Sequence, residues 1–356
     1  MTRRDKTIGR RSRNNRHLNF YVSGSGATII FRCVALLCFL FAIQQNLGAQ
    51  KNYRIVYNVL EDREKDNYDI YSMNMDGSDK KNITNTPGVE WVYYAYKDKV
   101  YYVSDKDTCH RCYFLYEMDA NGNNKRKVTD LQLEDSWMGS RNNGKEMIVT
   151  GRIGKMRLQL FLVNIKNGTY KQITNDTISY KSDPMFLPGG NEIMLRYRPD
   201  NKLRRTVPAE LWSIGFGKID DDTISLNNPR YQITQFPKSD TTTKWFEYHF
   251  GPPQYNSKYG FMSYMSRQNN QTQIYIITPD PKKGFQSTRT TQLTSGTLSS
   301  GWHSWSSDGN WLAMDKSTHE GKSFDIYLME YKTKKEIRLT DNEKTEQAPV
   351  IVEVKK

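Results

Sequence analysis

The chain has 356 residues, 26% of them charged, with a formal net charge of +13. Eight Lys or Arg among the first 50 residues, against the single acid Asp5, place more than half of that excess in the N-terminal tail. The remainder is only mildly basic and carries no zinc-finger, RNP or helix-turn-helix signature, which argues against a nucleic-acid partner.

The first element is a basic stretch followed by an apolar run, Cys33 to Ile43. Its length suits a signal-peptide core and falls short of the roughly 20 residues of a membrane span. Leu47, Gly48 and Ala49 form an imperfect cleavage site, so residues 1–49 are expected to be a cleaved signal peptide, with an uncleaved anchor as the alternative. An exported chain meets the periplasm or the cell exterior, where disulfides persist. Cys109 and Cys112 fit a loop-clamping disulfide; a free dithiol and a metal site are the alternatives.

From residue 51 onward the chain repeats itself. A Thr preceded by Ile, Leu or Val recurs at Thr84, Thr129, Thr174, Thr234, Thr294 and Thr340. Upstream of each stands an apolar–aromatic pair: Ile70-Tyr71, Leu115-Tyr116, Leu160-Phe161, Leu211-Trp212, Ile274-Tyr275 and Ile326-Tyr327. Turn signals such as Asp76-Gly77, Asn121-Gly122 and Asn167-Gly168 separate pair from Thr, so the unit reads strand, turn, strand. A further strand precedes each pair (Tyr53–Tyr57, Val100–Val103, Met147–Thr150, Ile193–Tyr197, Tyr259–Tyr264, Trp311–Met314). A fourth is expected before that, at Trp305–Gly309, Phe186–Gly190 and Pro252–Ser257. Four short strands in about 45 to 60 residues, six times over, predict an all-β, six-bladed β-propeller over residues 51–356 with four-stranded antiparallel blades. The chain starts at a blade's second strand and ends on a candidate first strand, Pro349–Val354. The N- and C-terminal strands are therefore expected to close one blade together.

The run Trp305-Ser306-Ser307-Asp308-Gly309-Asn310-Trp311-Leu312-Ala313-Met314, then Asp325-Ile326-Tyr327-Leu328-Met329 and Ile337-Arg338-Leu339-Thr340, resembles the repeat of the TolB-like propeller family. Asp69-Ile70-Tyr71-Ser72-Met73-Asn74-Met75-Asp76-Gly77 is similar to its middle part. The resemblance spans residues 51–356 and implies a non-catalytic binding scaffold, with no cofactor, engaging a protein of the cell envelope through channel-mouth loops. Neither the α/β domain that precedes TolB's propeller nor the Gly-x-Ser-x-Gly elbow of propeller-bearing serine hydrolases is found.

Function in propellers resides where the repeats differ. The basic insertion with Arg196, Arg198, Lys202, Arg204 and Arg205 is expected to dock an acidic partner or an anionic glycan; the alternative is a solvated loop. His249 and His303 near the channel mouth are further binding candidates. With His319 they allow a second reading, similar to oligogalacturonide lyases, in which imidazoles hold a divalent metal. Against it, His303 stands between Trp302 and Trp305 and suits a packed residue. Trp91, Trp137 and Trp245, if exposed, are candidates for stacking on sugars; the alternative is that they pack in the propeller core.

Overall fold

A computed structural model describes residues 52–154, 158–198, 213–220, 223–224, 232–234, 251–268, 271–282, 284–318 and 323–355. Every regular element among them is a β-strand. None of them is in a helix long and apolar enough to cross a membrane.

In chain order the strands are β1 (Asn52–Asp62), β2 (Asn67–Asn74) and β3 (Lys81–Asn82); β4 (Glu90–Tyr96), β5 (Lys99–Ser104), β6 (Phe114–Asp119) and β7 (Arg126–Lys127); β8 (Gln132–Leu133), β9 (Gly139–Arg141), β10 (Glu146–Arg152), β11 (Gln159–Asn164) and β12 (Tyr170–Gln172); β13 (Tyr180–Phe186), β14 (Glu192–Arg198), β15 (Ser213–Asp220), β16 (Thr223–Ile224) and β17 (Gln232–Thr234); β18 (Gln254–Asn256), β19 (Phe261–Gln268), β20 (Gln271–Asp280) and β21 (Gly284–Gln292); and β22 (Ser299–Trp305), β23 (Trp311–Ser317), β24 (Phe324–Glu330), β25 (Glu336–Arg338) and β26 (Thr345–Val354). They form one eight-stranded, two five-stranded and two four-stranded sheets, none closed on itself. The eight-stranded sheet has two halves, β22–β25 and β26-β1-β2-β3, joined by the single parallel pair Phe324–Thr345. Within the second half β26 runs antiparallel to β1 from Asn52↔Val354 to Leu60↔Thr345. Strands from the two ends of the described chain thus share one sheet.

Apolar side chains on both faces of these strands pack into clusters shared with neighbouring sheets. In a strand successive side chains point to opposite faces. On β1, Ile55, Tyr57 and Val59 join Ala313, Ile326 and Leu328 of β23 and β24, whereas Val56 turns toward Val92 and Val100 of β4 and β5. The same cluster continues to Met147 and Phe161 of β10 and β11. Ile148 and Leu160 meet Ile193 and Leu195 of β14; Met194 and Ile214 meet Met262 and Ile277; Ile274 meets Leu312 and Met314. Each large apolar side chain buried in this way contributes roughly 1.5–3 kcal/mol.

Four of the recurrent Thr residues share one structural job. Each hydroxyl accepts the backbone N–H of the apolar residue that opens the apolar–aromatic pair: Ile70 to Thr84 (2.9 Å), Leu160 to Thr174 (2.9 Å), Ile274 to Thr294 (2.9 Å) and Ile326 to Thr340 (2.8 Å). Thr129 departs from the pattern and donates to the Gly168 carbonyl (2.7 Å).

Two of the expected first strands, at Trp305–Gly309 and Phe186–Gly190, are displaced from their expected places. β22 ends at Trp305, and Ser306–Asn310 is the following turn: the Gly309 N–H donates to the Ser306 carbonyl (2.8 Å), and Asp308 accepts from the Asn310 N–H (3.1 Å). Gly309 has φ +69°, and a Cβ there would lie 2.5 Å from the Asn256 amide oxygen on the neighbouring sheet, so only glycine fits. Within Phe186–Gly190, Phe186 ends β13 and Leu187–Gly190 is the turn after it, with the Gly190 N–H donating to the Leu187 carbonyl (3.0 Å). Within Pro252–Ser257 only Gln254–Asn256 is strand. The Trp-Ser-Ser-Asp-Gly signature therefore marks a turn, and the strand precedes it.

Candidate functional site

The first strands carry register shifts, between Val92 and Tyr94, Ser182 and Met185, and Ser300 and His303; a matching shift at Val56/Asn58 on β1 faces β26. Such bulges turn backbone N–H groups out of the ladder, and each needs an acceptor. Side chains supply them. Asn58 accepts from the Val92 N–H (2.7 Å) and Asp183 from the Trp137 N–H (3.0 Å). Asp315 takes two, from Trp302 (3.1 Å) and Ala348 (3.0 Å). Ala348 lies at φ 52°, a left-handed conformation a non-glycine residue holds only when its surroundings enforce it. Gly301 makes room for the Asp315 carboxylate: a Cβ there would sit 2.3 Å from Oδ1. Burial pushes the Asp315 carboxyl up to about 7 despite the two backbone donors.

Midway along these strands, aromatic rings from three sheets meet. Trp91 packs edge-on against Trp302 (5.5 Å between centroids) and stacks on Tyr93 (6.0 Å), which touches Trp137 (5.9 Å). Trp91 is 6% and Trp137 3% exposed. Neither can stack on a sugar in solution, a correction to the sequence reading; Trp245 lies outside the described residues.

At the C-terminal ends of the first strands opens a cavity of about 580 Å³. Its wall draws on all five sheets and on both halves of the largest: Tyr94, Arg141, Phe186, Gln254, Trp305 and Glu353 among others. The wall is polar and aromatic. Tyr94 and Ser140 share a hydrogen bond (2.9 Å), and Glu353 accepts from Ser307. The buried Gln254 amide nitrogen has no partner among the described residues.

The N-terminal ends of the same strands hold a charged network. Arg111 grips Asp66 with two hydrogen bonds (2.7 and 2.9 Å), tying the β1–β2 hairpin to the loop before β6, and its other terminal nitrogen lies 3.8 Å from Asp135. His110 adds an ion pair to Asp66 at 3.2 Å when protonated. The same loop contains Cys109 and Cys112, 5.2 Å apart at Cα with their sulfurs in bonding contact, a separation suited to a disulfide. The Leu60–Asn67 hairpin thus holds an inter-sheet clamp.

Of the basic insertion, Arg196 and Arg198 are described; Lys202, Arg204 and Arg205 lie outside the described residues. Arg196 donates from Nε to Ser182 (3.0 Å) and from Nη2 to the Tyr180 hydroxyl (2.9 Å), with Asp183 at 3.2 Å. Arg198 is buried and lies over the Tyr180 ring at 5.7 Å. Both are built into the sheet, not carried on a solvated loop.

His303 is fully buried. Its Nδ1 lies 3.3 Å from the Gly301 carbonyl, which assigns the proton to that nitrogen. Nε2 then accepts the Ser263 hydroxyl (2.8 Å), whose oxygen accepts the Trp305 indole N–H (2.9 Å). Both ring nitrogens are occupied, so neither is open to a metal. His249 and His319 lie outside the described residues. Burial lowers the His303 pKa to about 4, so the ring is neutral in the folded state. The folded value lies below the ordinary 6.5, so the stability this ring contributes is complete above about pH 6.5 and is lost as pH falls toward 4. NMR titration of the imidazole, assigned with His303→Gln, is expected to show no protonation above pH 5; a midpoint near 6.5 would contradict the chain of hydrogen bonds.

No protein-family model matches the sequence, and no curated protein does. Solved structures do. TolB from Acinetobacter baumannii aligns with a TM-score of 0.60 at 15% identity, over 84% of this chain and 66% of its own. A putative TolB from Agrobacterium tumefaciens aligns with 0.53 at 12%, over 84% and 92%. A chain of the nidogen/laminin complex aligns with 0.54 at 8%, over 84% and 98%. The chain has a TolB-like propeller fold, and at these identities the likeness concerns fold alone. It spans just under two thirds of the length of the Acinetobacter protein.

Proposed function

We propose that this chain is an exported, non-catalytic binding scaffold: six four-stranded blades in one ring, engaging a protein partner of the cell envelope at the wide mouth. The apolar clusters support the ring. They pass from sheet to sheet along the chain and return from β23–β24 to β1, and a ring is the arrangement that gives every sheet two covered faces. The carrying observation for binding is the cavity of about 580 Å³, whose wall takes residues from every sheet. Turns that differ in sequence but converge on one concavity offer a partner many independent contacts on a rigid frame. The nidogen/laminin complex, which contains a similar fold, supports protein binding as a use of such a frame. Residues 1–49, read as a signal peptide, and a Cys109–Cys112 disulfide both fit export to the periplasm or cell exterior.

Photo-cross-linking in the native envelope tests this reading. Cross-linkers at Lys97 and Ser257, exposed in the cavity wall, are expected to capture one discrete partner; cross-linkers at Tyr170 on β12 and Ile337 on β25, exposed on outer strands, are expected to capture none. Capture only from the outer strands would overturn the assignment.

A further inference from the structure

The opposite ends of the first strands hold a second cavity, of about 310 Å³, with different chemistry. Arg196 of β14 and Arg267 of β19, from neighbouring sheets, both line it. Beside them stand the rings of Trp302 and Phe324 and the hydroxyls of Ser299 and Ser317. Among the described lining residues the single acid is Asp315, and both its oxygens already accept backbone N–H groups.

We propose that this cavity binds a small organic monocarboxylate with a flat apolar body. A guanidinium presents parallel N–H donors that match a planar carboxylate, and two from different sheets can approach it from two sides. Arg196 is held in place by Ser182, Tyr180 and Asp183, while 28% of its side-chain surface stays open. Little side-chain entropy therefore remains to be lost on binding. The half-exposed Trp302 and Phe324 rings supply apolar walls that a bare inorganic anion would leave uncovered. The volume lies at the lower end of the range for small-molecule sites, which limits the ligand to one ring or two. The site stands apart from the wide mouth and does not depend on the protein-partner reading.

Calorimetry on the exported protein with three probes tests it: phenylacetate, the isosteric but neutral phenylacetamide, and inorganic phosphate. Phenylacetate is expected to saturate at millimolar concentration or below and to bind at least tenfold tighter than either control. Arg267→Gln is expected to weaken it at least tenfold with the melting temperature little changed. Equal binding of the amide would reduce the cavity to an apolar slot, and equal binding of phosphate to a general anion site; either result, or no binding of phenylacetate, overturns the proposal. The acid–amide comparison uses the unaltered protein, so it decides the matter even where the variant folds poorly.

Discussion

Replacing Asp315 by alanine is expected to cost about 3 kcal/mol of unfolding free energy, read from urea denaturation. The carboxylate joins two bulges that belong to different halves of the eight-stranded sheet: Trp302 on β22 and Ala348 on β26. Alanine leaves both N–H groups without an acceptor, and each such loss costs roughly 1–3 kcal/mol when buried. Relief of a desolvated charge offsets part of this, which is why the lower half of the summed range is expected. Asparagine, neutral and with one acceptor, should lose less. The pH dependence separates the two contributions. The folded pKa, about 7, is above the ordinary 3.8. The native state therefore holds a proton the unfolded state has released, and the wild type gains stability from this group as pH falls from 7 toward 4. At about 1.4 kcal/mol per unit, the deficit of Asp315→Asn should be about 2–3 kcal/mol larger at pH 5 than at pH 8. An equal deficit at both would mean the carboxyl is not protonated in the fold.

Deleting Val350–Lys356 is expected to abolish cooperative unfolding, followed by circular dichroism. The cut removes five rows of the β1–β26 ladder, from Asn52↔Val354 to Val56↔Val350, and takes the buried Val350, Ile351 and Val352 out of two apolar clusters. Three buried aliphatic side chains at roughly 1.5–3 kcal/mol each, with ladder hydrogen bonds at about 1 kcal/mol each, together match the roughly 5–15 kcal/mol by which a whole domain is stable. Removing only Lys355 and Lys356 loses the exposed Lys355–Asp98 ion pair, and such pairs contribute about 0–1 kcal/mol. That shorter chain should melt like the parent. A sharp transition in the longer deletion would show that β26 is dispensable.

The second and third strands of each repeat were legible because burial on both faces demands continuous apolar and aromatic side chains, as in Val100–Val103 and Ile326–Leu328. The recurring Thr was legible because its hydroxyl repeats one backbone contact. Two of the first strands, β13 and β22, were not. Ser299–Trp305 is rich in Ser, Gly and His, and its bulge breaks the alternation a strand would show; the turn after it carries the louder signal. Of the two arginines lining the smaller cavity, Arg196 stands out by its basic neighbourhood, whereas Arg267 lies near the end of the apolar strand β19 with nothing to distinguish it. Asp315 likewise follows Leu312-Ala313-Met314 like any strand-ending polar residue. That it faces two bulge amides is decided by the approach of β26, from the far end of the chain. His303 was noticed as a histidine, but only the placement of Ser263 and Trp305 shows that both its nitrogens are in use.

Asn52 sits directly across the ladder from Val354, so the two termini of the folded core are next-door neighbours. A linker of a few residues could splice them, and the polypeptide could be reopened at an exposed reverse turn such as Asn121–Asn124. The gene order of the strands is then one of several equivalent readings of the same loop of chain, and a permuted or covalently circular version should keep both cavities while losing its most frayable point.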